Sequence, residues 1–525
     1  MNKIKVLEVN NIDLPGNRFN GYDMIQDITD NNLKIKQAVI IKKSNNDKVI
    51  KMLKNKNQQI IYGIFENVER KQSIHNVFSI TTPALLKLPE YKEADIIHFH
   101  MFHNTKLSLY SLIQIATEKK VVISIHDPWF LTGRCVHFYD CNKWKTGCDK
   151  CPNLKSLFPL DKDNCSQLWK LKKYVFDNID IDLVCSSDWM MDMAKATPIL
   201  SNQKHYHKIP LGIDYKKFSS VSYEESRKKI GIDEDELVLF FRAQNEFKGT
   251  PYIVEAMKLL ETNKKITLLT CDNTGLVDDL KGKYKIIELG CINDADMIYA
   301  MNACDIFLMP SIGESFGMMA IEAMACGKPV IVFNNSALPS VTHAPKCGYL
   351  VKNKDAKDLM NAIKYLCENE NERFRRGELA KKIVQEEYGI EEYNTNLKKL
   401  YISVMERQHK VITPTKMKVN TKNEINFKAY LNKLTLKIFK NSKKIKQLLY
   451  YDIDNLKVNK TQPIRYDDMN IHHILEEYLI KVEEIARTKR HSVRKSRRFD
   501  KIIYYLLHDR KTLKTKILQK IRKKV

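Results

Sequence analysis

The chain has 525 residues, 43% of them apolar, and a formal net charge of +25. That length suits two or three domains with sizeable cores, and the composition is ordinary for a soluble globular protein. No run of eighteen apolar residues occurs, so no transmembrane helix is expected; twelve cysteines behind an amino terminus lacking the apolar core of a signal peptide argue for reduced thiols or a metal over a disulfide framework.

Strand-like apolar runs alternate with amphipathic helical segments, the pattern of an α/β protein. MNKIKVLEV leads straight into a strand over Ile4–Val9. The loop behind it holds Gly16 and Gly21, which suit either a plain turn or a close backbone approach to a ligand. Strands follow over Lys36–Ile41, Ile96–Phe99 and Val121–Ile125, and the last runs into His126-Asp127. The carboxyl end of a parallel strand is where open α/β sheets bind ligands, although a lone histidine is as often structural. Beyond it Cys135, Cys141, Cys148 and Cys151 stand in a polar, aromatic stretch with the spacing C-x5-C-x6-C-x2-C. The closing C-x2-C is a good zinc half-site and the first half is wider than usual, so structural zinc and reduced thiols both stand.

After a strand at Leu183–Cys185, Pro210 and Gly212 break the pattern, and a fresh α/β series begins at Leu237. Its strands are Val238–Phe241, Ile266–Cys271, Ile306–Met309 and Val330–Phe333. Arg242 and Lys248-Gly249 follow the first of them, and Leu289-Gly290-Cys291-Ile292 precedes the third. Residues 310–330 read PSIGESFGMMAIEAMACGKPV, with Glu314 in a glycine-containing loop and Glu322 in an apolar helical run that Gly327 ends. A loop that opens a helix offers unpaired N–H groups and a positive dipole end to a phosphate. Carboxylates on either side can accept hydrogen bonds from sugar hydroxyls. Two acids at this spacing are expected about seven times by chance in such a chain, so the context carries the signal.

That context resembles the retaining nucleotide-sugar glycosyltransferases of family 4. Their carboxyl half has a strand ending in Pro-Ser, then Glu, a Gly-Phe-Gly-like turn, and a second Glu on the next helix. Here these stand as Pro310-Ser311, Glu314-Ser315-Phe316-Gly317 and Glu322, and the Pro-x-Gly-Ile-Asp hinge with Phe218 is also similar. The resemblance covers about residues 1–405. It implies a GT-B arrangement, two Rossmann-like domains facing a cleft. Residues 1–212 would form the acceptor-side domain, 213–385 the nucleotide-sugar-binding domain, and 386–408 a helix returning to the first. By the same resemblance Arg242 and Lys248 clamp the diphosphate, Glu322 binds the ribose, Glu314 contacts the donor sugar, and Ile292 meets the base. The backbone of Ser315, Phe316 and Gly317 would meet sugar and phosphate oxygens, and His126 would bind donor or acceptor hydroxyls. Gly16 and Gly21 fall where the family often has two adjacent glycines near the phosphates. Transfer would need no metal or other cofactor, and the acceptor would be a glycan or lipid-linked sugar in cell-surface polysaccharide biosynthesis. A subset of the family carries clustered cysteines after a similar His-Asp-x-Trp stretch, where a zinc knuckle would stiffen a loop on the acceptor side.

The charge lies mostly beyond this region. Residues 401–525 hold 32 basic and 12 acidic side chains, against 56 and 51 in residues 1–400. Lys-rich, apolar-spaced segments at 427–456 and from 471 onward read as helices with basic faces, a helical extension over residues 409–525. An anionic leaflet attracts such clusters at about 1 kcal/mol per residue, which suits a cytoplasmic enzyme held peripherally at the inner membrane face. The rival is a nucleic-acid-binding role through Arg487–Arg498, RTKRHSVRKSRR, which could neutralise phosphates. Sparse aromatic interleaving weighs against base stacking. Docking of a partner enzyme is the third reading.

Overall fold

The computed structural model describes residues 3–412, apart from 15, 17–18, 28–31, 55–68, 70–72, 78–80, 157–158 and 274. The basic helices expected beyond residue 409 therefore lie almost wholly outside the described residues.

Two parallel sheets organise the described chain. The first holds β1 (Ile4–Ile12), β2 (Leu33–Ile41), β3 (Val49–Lys51), β4 (Ile96–His100), β5 (Lys120–Ile125), β6 (Asp182–Cys185) and β7 (His205–Lys208), in the order β3-β2-β1-β4-β5-β6-β7. The second holds β8 (Leu237–Arg242), β9 (Ile266–Cys271), β10 (Lys285–Glu288), β11 (Ile306–Met309), β12 (Val330–Phe333) and β13 (Tyr349–Val351), in the order β10-β9-β8-β11-β12-β13. All nine strands expected from the sequence are present. The four additions, β3, β7, β10 and β13, are the two edges of each sheet.

Central strands of such sheets are covered by helices on both faces and read as continuous apolar runs. The pleat sorts their side chains. Leu7, Val9, Ile97, Phe99, Val121 and Ile123 enter one core with the helices outside the first sheet. Their alternate neighbours Val6, Ile96 and Val122 enter a second core, shared with Val238 and Phe240 of the other sheet and with Tyr401 near the end of the described chain.

Two crossings join the halves, and they are bonded to each other. Ile213 N donates to Tyr388 O at 2.9 Å, and Ile390 N donates to Ile213 O at 3.0 Å. A Cβ on Gly212 would lie 2.7 Å from Gly389 O, so only glycine lets the two strands of chain touch. Behind the second crossing the helix Ile390–Glu406 buries Tyr393, Leu397, Leu400, Tyr401 and Val404. Lys120 on β5 holds its far end, with Nζ 2.6 Å from Val404 O and 3.1 Å from Met405 O. A cation there satisfies orphan carbonyls and complements the negative end of the dipole. Arg407 adds a two-point contact to the buried Asp182, with Nη1 2.9 Å from Oδ1.

Candidate functional site

The carboxyl ends of the two sheets carry the residues singled out by the sequence. β8 delivers Arg242, whose Nε donates to Asp272 Oδ2 at 2.7 Å, just past the end of β9. Asn245 caps the short turn Glu246–Lys248 by accepting from Lys248 N at 3.2 Å. Gly249 then adopts φ +79°, and a Cβ there would fall 2.0 Å from Pro310 O. The backbone of this turn therefore lies directly on the strand end that opens the second loop, and Ile312 N donates to Phe247 O at 3.0 Å. Lys248 Nζ reaches Glu314 Oε1 at 2.6 Å, with both side chains largely covered at 21% and 15% exposure. Each expected clamp cation is thus held in place by a carboxylate that balances its charge, and an anionic ligand would share the cation with it.

The loop ends at Gly317, which takes φ +105° and starts the helix Met318–Ala325. Glu322 on that helix is 1% exposed, so it is not one of the solvated acids that decorate most helices. Phe316 is buried and packs edge-on against Tyr388, which leaves its backbone, not its ring, for a ligand. Ser315 is spent on the opposite domain: its hydroxyl donates to His126 O, and its carbonyl accepts from Ser187 Oγ at 2.7 Å. Ile292 is half-buried against the core shared by the two sheets, beyond β10.

His126 follows β5, half-buried, with the Phe19 ring edge-on to it at 5.6 Å and His100 Nδ1 3.0 Å from its Nε2. Burial lowers its proton affinity well below the ordinary histidine value, and the neighbouring His100 and His98 add to the effect. The structure therefore brings His126 and the Glu314–Gly317 loop together, in contact at Ser315. Gly16 and Gly21 are both left-handed, at φ +93° and +83°, but their immediate neighbours are protein groups. A Cβ on Gly16 would meet the Phe19 ring at 3.1 Å, and one on Gly21 would meet Glu8 Oε2 at 2.8 Å.

The segment after His126 is anchored by the fully buried Lys172, whose ammonium donates to the carbonyls of Trp129, Thr132 and Gly133 and lies 3.6 Å from the Trp129 ring centre. Burial brings its pKa down to about 7. The cysteine stretch then crosses to the second domain as well as lining the first. Asp140 pairs with Lys354 at 2.6 Å, and His137 stands edge-on to Phe247 at 4.6 Å, filling the space a Cβ on Gly313 would need. Burial pushes the Cys135 thiol up to about 12 and Cys148 up to about 11. No three of Cys135, Cys141, Cys148 and Cys151 have their sulfurs all within 4.8 Å of one another. Among the described residues the one group of three or more ligand-type side chains with donor atoms all within 4.8 Å of one another is Glu8, His98 and His100. Those three are already engaged with each other and with Tyr401, Ser124 and His126.

These three residues and Tyr401 were not singled out from the sequence. The available signal was polar side chains at alternate positions inside apolar strands: Glu8 on β1, His98 and His100 on β4.

Comparison with known proteins agrees with this geometry. Residues 222–383 match the family model described as glycosyl transferases group 1. A protein of Escherichia coli (strain K12) named as a colanic acid biosynthesis glycosyl transferase is 26% identical over 270 residues, covering 47% of this chain and 61% of the relative. The N,N'-diacetylbacillosaminyl-diphospho-undecaprenol alpha-1,3-N-acetylgalactosaminyltransferase of Campylobacter jejuni is 30% identical over 194 residues, 34% of this chain and 48% of the relative. The chain thus spans less than two thirds of the length of these relatives. Among solved structures, the sucrose-phosphate synthase of Thermosynechococcus elongatus superposes with a TM-score of 0.56 at 15% identity, over 77% of this chain and 100% of that one. The Anabaena protein HepE, solved with UDP and glucose, gives 0.54 at 15% identity, over 76% and 100%. At such identities the likeness is one of fold: two parallel α/β domains in the GT-B arrangement.

Proposed function

We propose, from a second domain that belongs to the glycosyl transferases group 1 family, that the chain moves a sugar from a nucleotide-diphospho-sugar to a glycan or lipid-linked acceptor in cell-surface polysaccharide assembly. The observation that carries this reading is the Lys248–Glu314 pair beside Arg242, on a loop that touches the His126 segment across the cleft. As the glycosidic bond breaks, negative charge builds on the departing diphosphate. Arg242, Lys248 and the N–H groups opening the helix Met318–Ala325 are preorganised donors for that charge. They do the work a bound cation does in other transferases, which is why the reaction is proposed to be metal-independent. Glu322 would bind the ribose and Ile292 the base, Glu314 would leave part of its bond with Lys248 to accept from a sugar hydroxyl, and His126 would face that sugar from the first domain. Retention of configuration is part of the proposal by resemblance. The names of the E. coli and Campylobacter relatives support a polysaccharide or polyprenol-linked acceptor, and the Anabaena complex supports a uridine-diphosphate donor.

A structural zinc on Cys135, Cys141, Cys148 and Cys151 is a separate proposal. It requires residues 135–151 to contract about the ion, which would displace thiol protons that burial now favours. Metal analysis of protein purified without chelator tests it: about one zinc per chain supports it, and a value near zero with freely titrating thiols refutes it.

The site is tested by saturation-transfer NMR of the full chain against a panel of nucleotide sugars. Binding of one, with turnover on a polyprenol-linked acceptor, is the expected result. No binding to any member, together with tight RNA binding, would replace this reading with the nucleic-acid one. The basic residues 409–525 are proposed to hold the enzyme at an anionic inner leaflet on the cytoplasmic side. Vesicles and RNA compared at one ionic strength, with full-length and truncated chain, separate membrane, nucleic-acid and partner docking.

A further inference from the structure

One face of the first sheet changes character along three neighbouring strands. It carries Val6 on β1, Ile96 on β4 and Val122 on β5, and two residues further on it carries Glu8, His98 and Ser124. The register sets Glu8 opposite His98 and His100 opposite Ser124. Glu8, His98 and His100 are 0% exposed. Buried polar groups of this kind are tolerated only when each finds a partner. Here they do. Glu8 Oε1 is 2.6 Å from Tyr401 Oη and Glu8 Oε2 is 2.6 Å from His100 Nε2. His100 Nδ1 is 3.0 Å from His126 Nε2, His98 Nδ1 is 2.7 Å from Tyr401 Oη, and His98 Nε2 is 2.8 Å from Ser124 Oγ.

With Glu8 ionised and the rings neutral, one arrangement of protons satisfies these five side-chain contacts. A carboxylate only accepts, so Tyr401 O–H and His100 Nε2–H both donate to Glu8. Having spent its proton, Tyr401 accepts from His98 Nδ1–H, and His98 Nε2 accepts from the Ser124 hydroxyl. His100 Nδ1 is then an acceptor, so His126 must donate through Nε2–H. Burial alone would push the Glu8 carboxyl up, but the His98 and His100 rings outweigh it and hold the group well below the usual carboxylate range. Burial and His98 keep His100 below its ordinary value, against the pull of Glu8. Gly21 leaves the carboxylate in place, since a Cβ there would lie 2.8 Å from Oε2.

We propose that Glu8, acting through His100, is a positioning residue that fixes His126 as the Nε2–H tautomer, leaving Nδ1 as the ring's acceptor for a hydroxyl of the bound sugar or acceptor. Tyr401, from the helix that returns to the first domain, closes the far end of this relay. The inference rests on the proposed transferase reading for its consequence, but not for its geometry. A ring in the opposite tautomer would carry its proton on Nδ1 and could not accept a hydroxyl proton there.

The relay can be read without turnover. Nitrogen-15 labelling of the histidines in the full chain, with His126→Gln to assign its signals, should show Nε2 protonated and Nδ1 bare. A protonated Nδ1 in the wild-type ring overturns the proposal. In kinetics, Glu8→Gln should lower kcat by at least about tenfold, with the donor KM unchanged. It should also move the acid limb of the kcat profile to lower pH, because the charge that raises the proton affinity of His100 and His126 is gone. The other titratable groups beside these rings are His98 and His103 from the β4 side, with Tyr401 of the helix Ile390–Glu406 against His98 and Glu8, and none is altered by that substitution. Tyr401→Phe keeps the ring and should give a smaller loss in the same direction; it carries the kinetic test if a thermal melt shows the Glu8 variant unfolded. A folded variant with wild-type kcat and pH profile overturns the proposal. A wild-type chain that uses no nucleotide sugar refutes the transferase reading, while the nitrogen spectrum still decides the relay.

Discussion

Truncating Lys248 to alanine removes an ammonium that sits 2.6 Å from Glu314 Oε1. The pair is largely covered but reaches solvent, at 21% and 15% exposure. Its contribution to folding should therefore be no more than about 1 kcal/mol, the upper range for partly exposed pairs. The backbone of the turn is held independently, by the Asn245 cap and by Gly249 against Pro310, so the fold should survive. Catalysis is another matter. If Lys248 meets the charge that builds on the leaving diphosphate, its loss should cost roughly 3 kcal/mol in the transition state. That is a fall in kcat of about a hundredfold. Lys248→Arg keeps the charge but replaces a point donor with a planar fork, and it should recover part of the loss. The assay is initial-rate transfer with donor varied, beside a thermal melt of each variant. An alanine variant that melts like wild type and keeps wild-type kcat would refute the placement of Lys248 at the reacting phosphates.

Gly249→Ala should destabilise the second domain by at least about 2 kcal/mol, because its left-handed backbone and the Pro310 carbonyl 2.0 Å away both exclude a Cβ; a melting point within a degree or two of wild type would count against this packing. Glu322→Gln keeps the volume of a buried side chain and should raise the donor KM at least about tenfold in folded protein, which isothermal titration with the nucleoside diphosphate alone would reveal. Arg407→Ala should loosen the docking of the helix Ile390–Glu406 at neutral pH. Burial would raise the Asp182 pKa, but hydrogen bonds from His207 and Arg407 depress it below the ordinary value, so the stability it supplies is present above about pH 4 and lost as acid passes through the depressed native value. The melting difference between wild type and Arg407→Ala should accordingly shrink below pH 4, and a difference that grows on acidification would contradict the assigned pair.

The central strands and the donor-side motif were legible in the sequence because their signals are local. A strand covered on both faces must be apolar throughout, as in Leu237–Phe241 and Ile306–Met309, and the loop from Pro310 to Gly317 carries its residue types in one short run. The edge strands were not legible, since a strand flanked on one side only can read HYHK or KIIE and lose the apolar signature. Nor did the glycines of the first loop announce their reason: Gly21 answers to a carboxylate thirteen residues earlier. The relay behind His126 lay furthest from the sequence. Glu8, His100 and Tyr401 come from two strands and the helix Ile390–Glu406, and the Glu8–Tyr401 hydrogen bond joins residues 393 positions apart. Periodicity tells which face of a strand is buried, but which strands lie side by side, and which helix closes over them, is set by the crossover topology. Only that topology decides whether a buried carboxylate or ring finds the partner that makes its burial affordable.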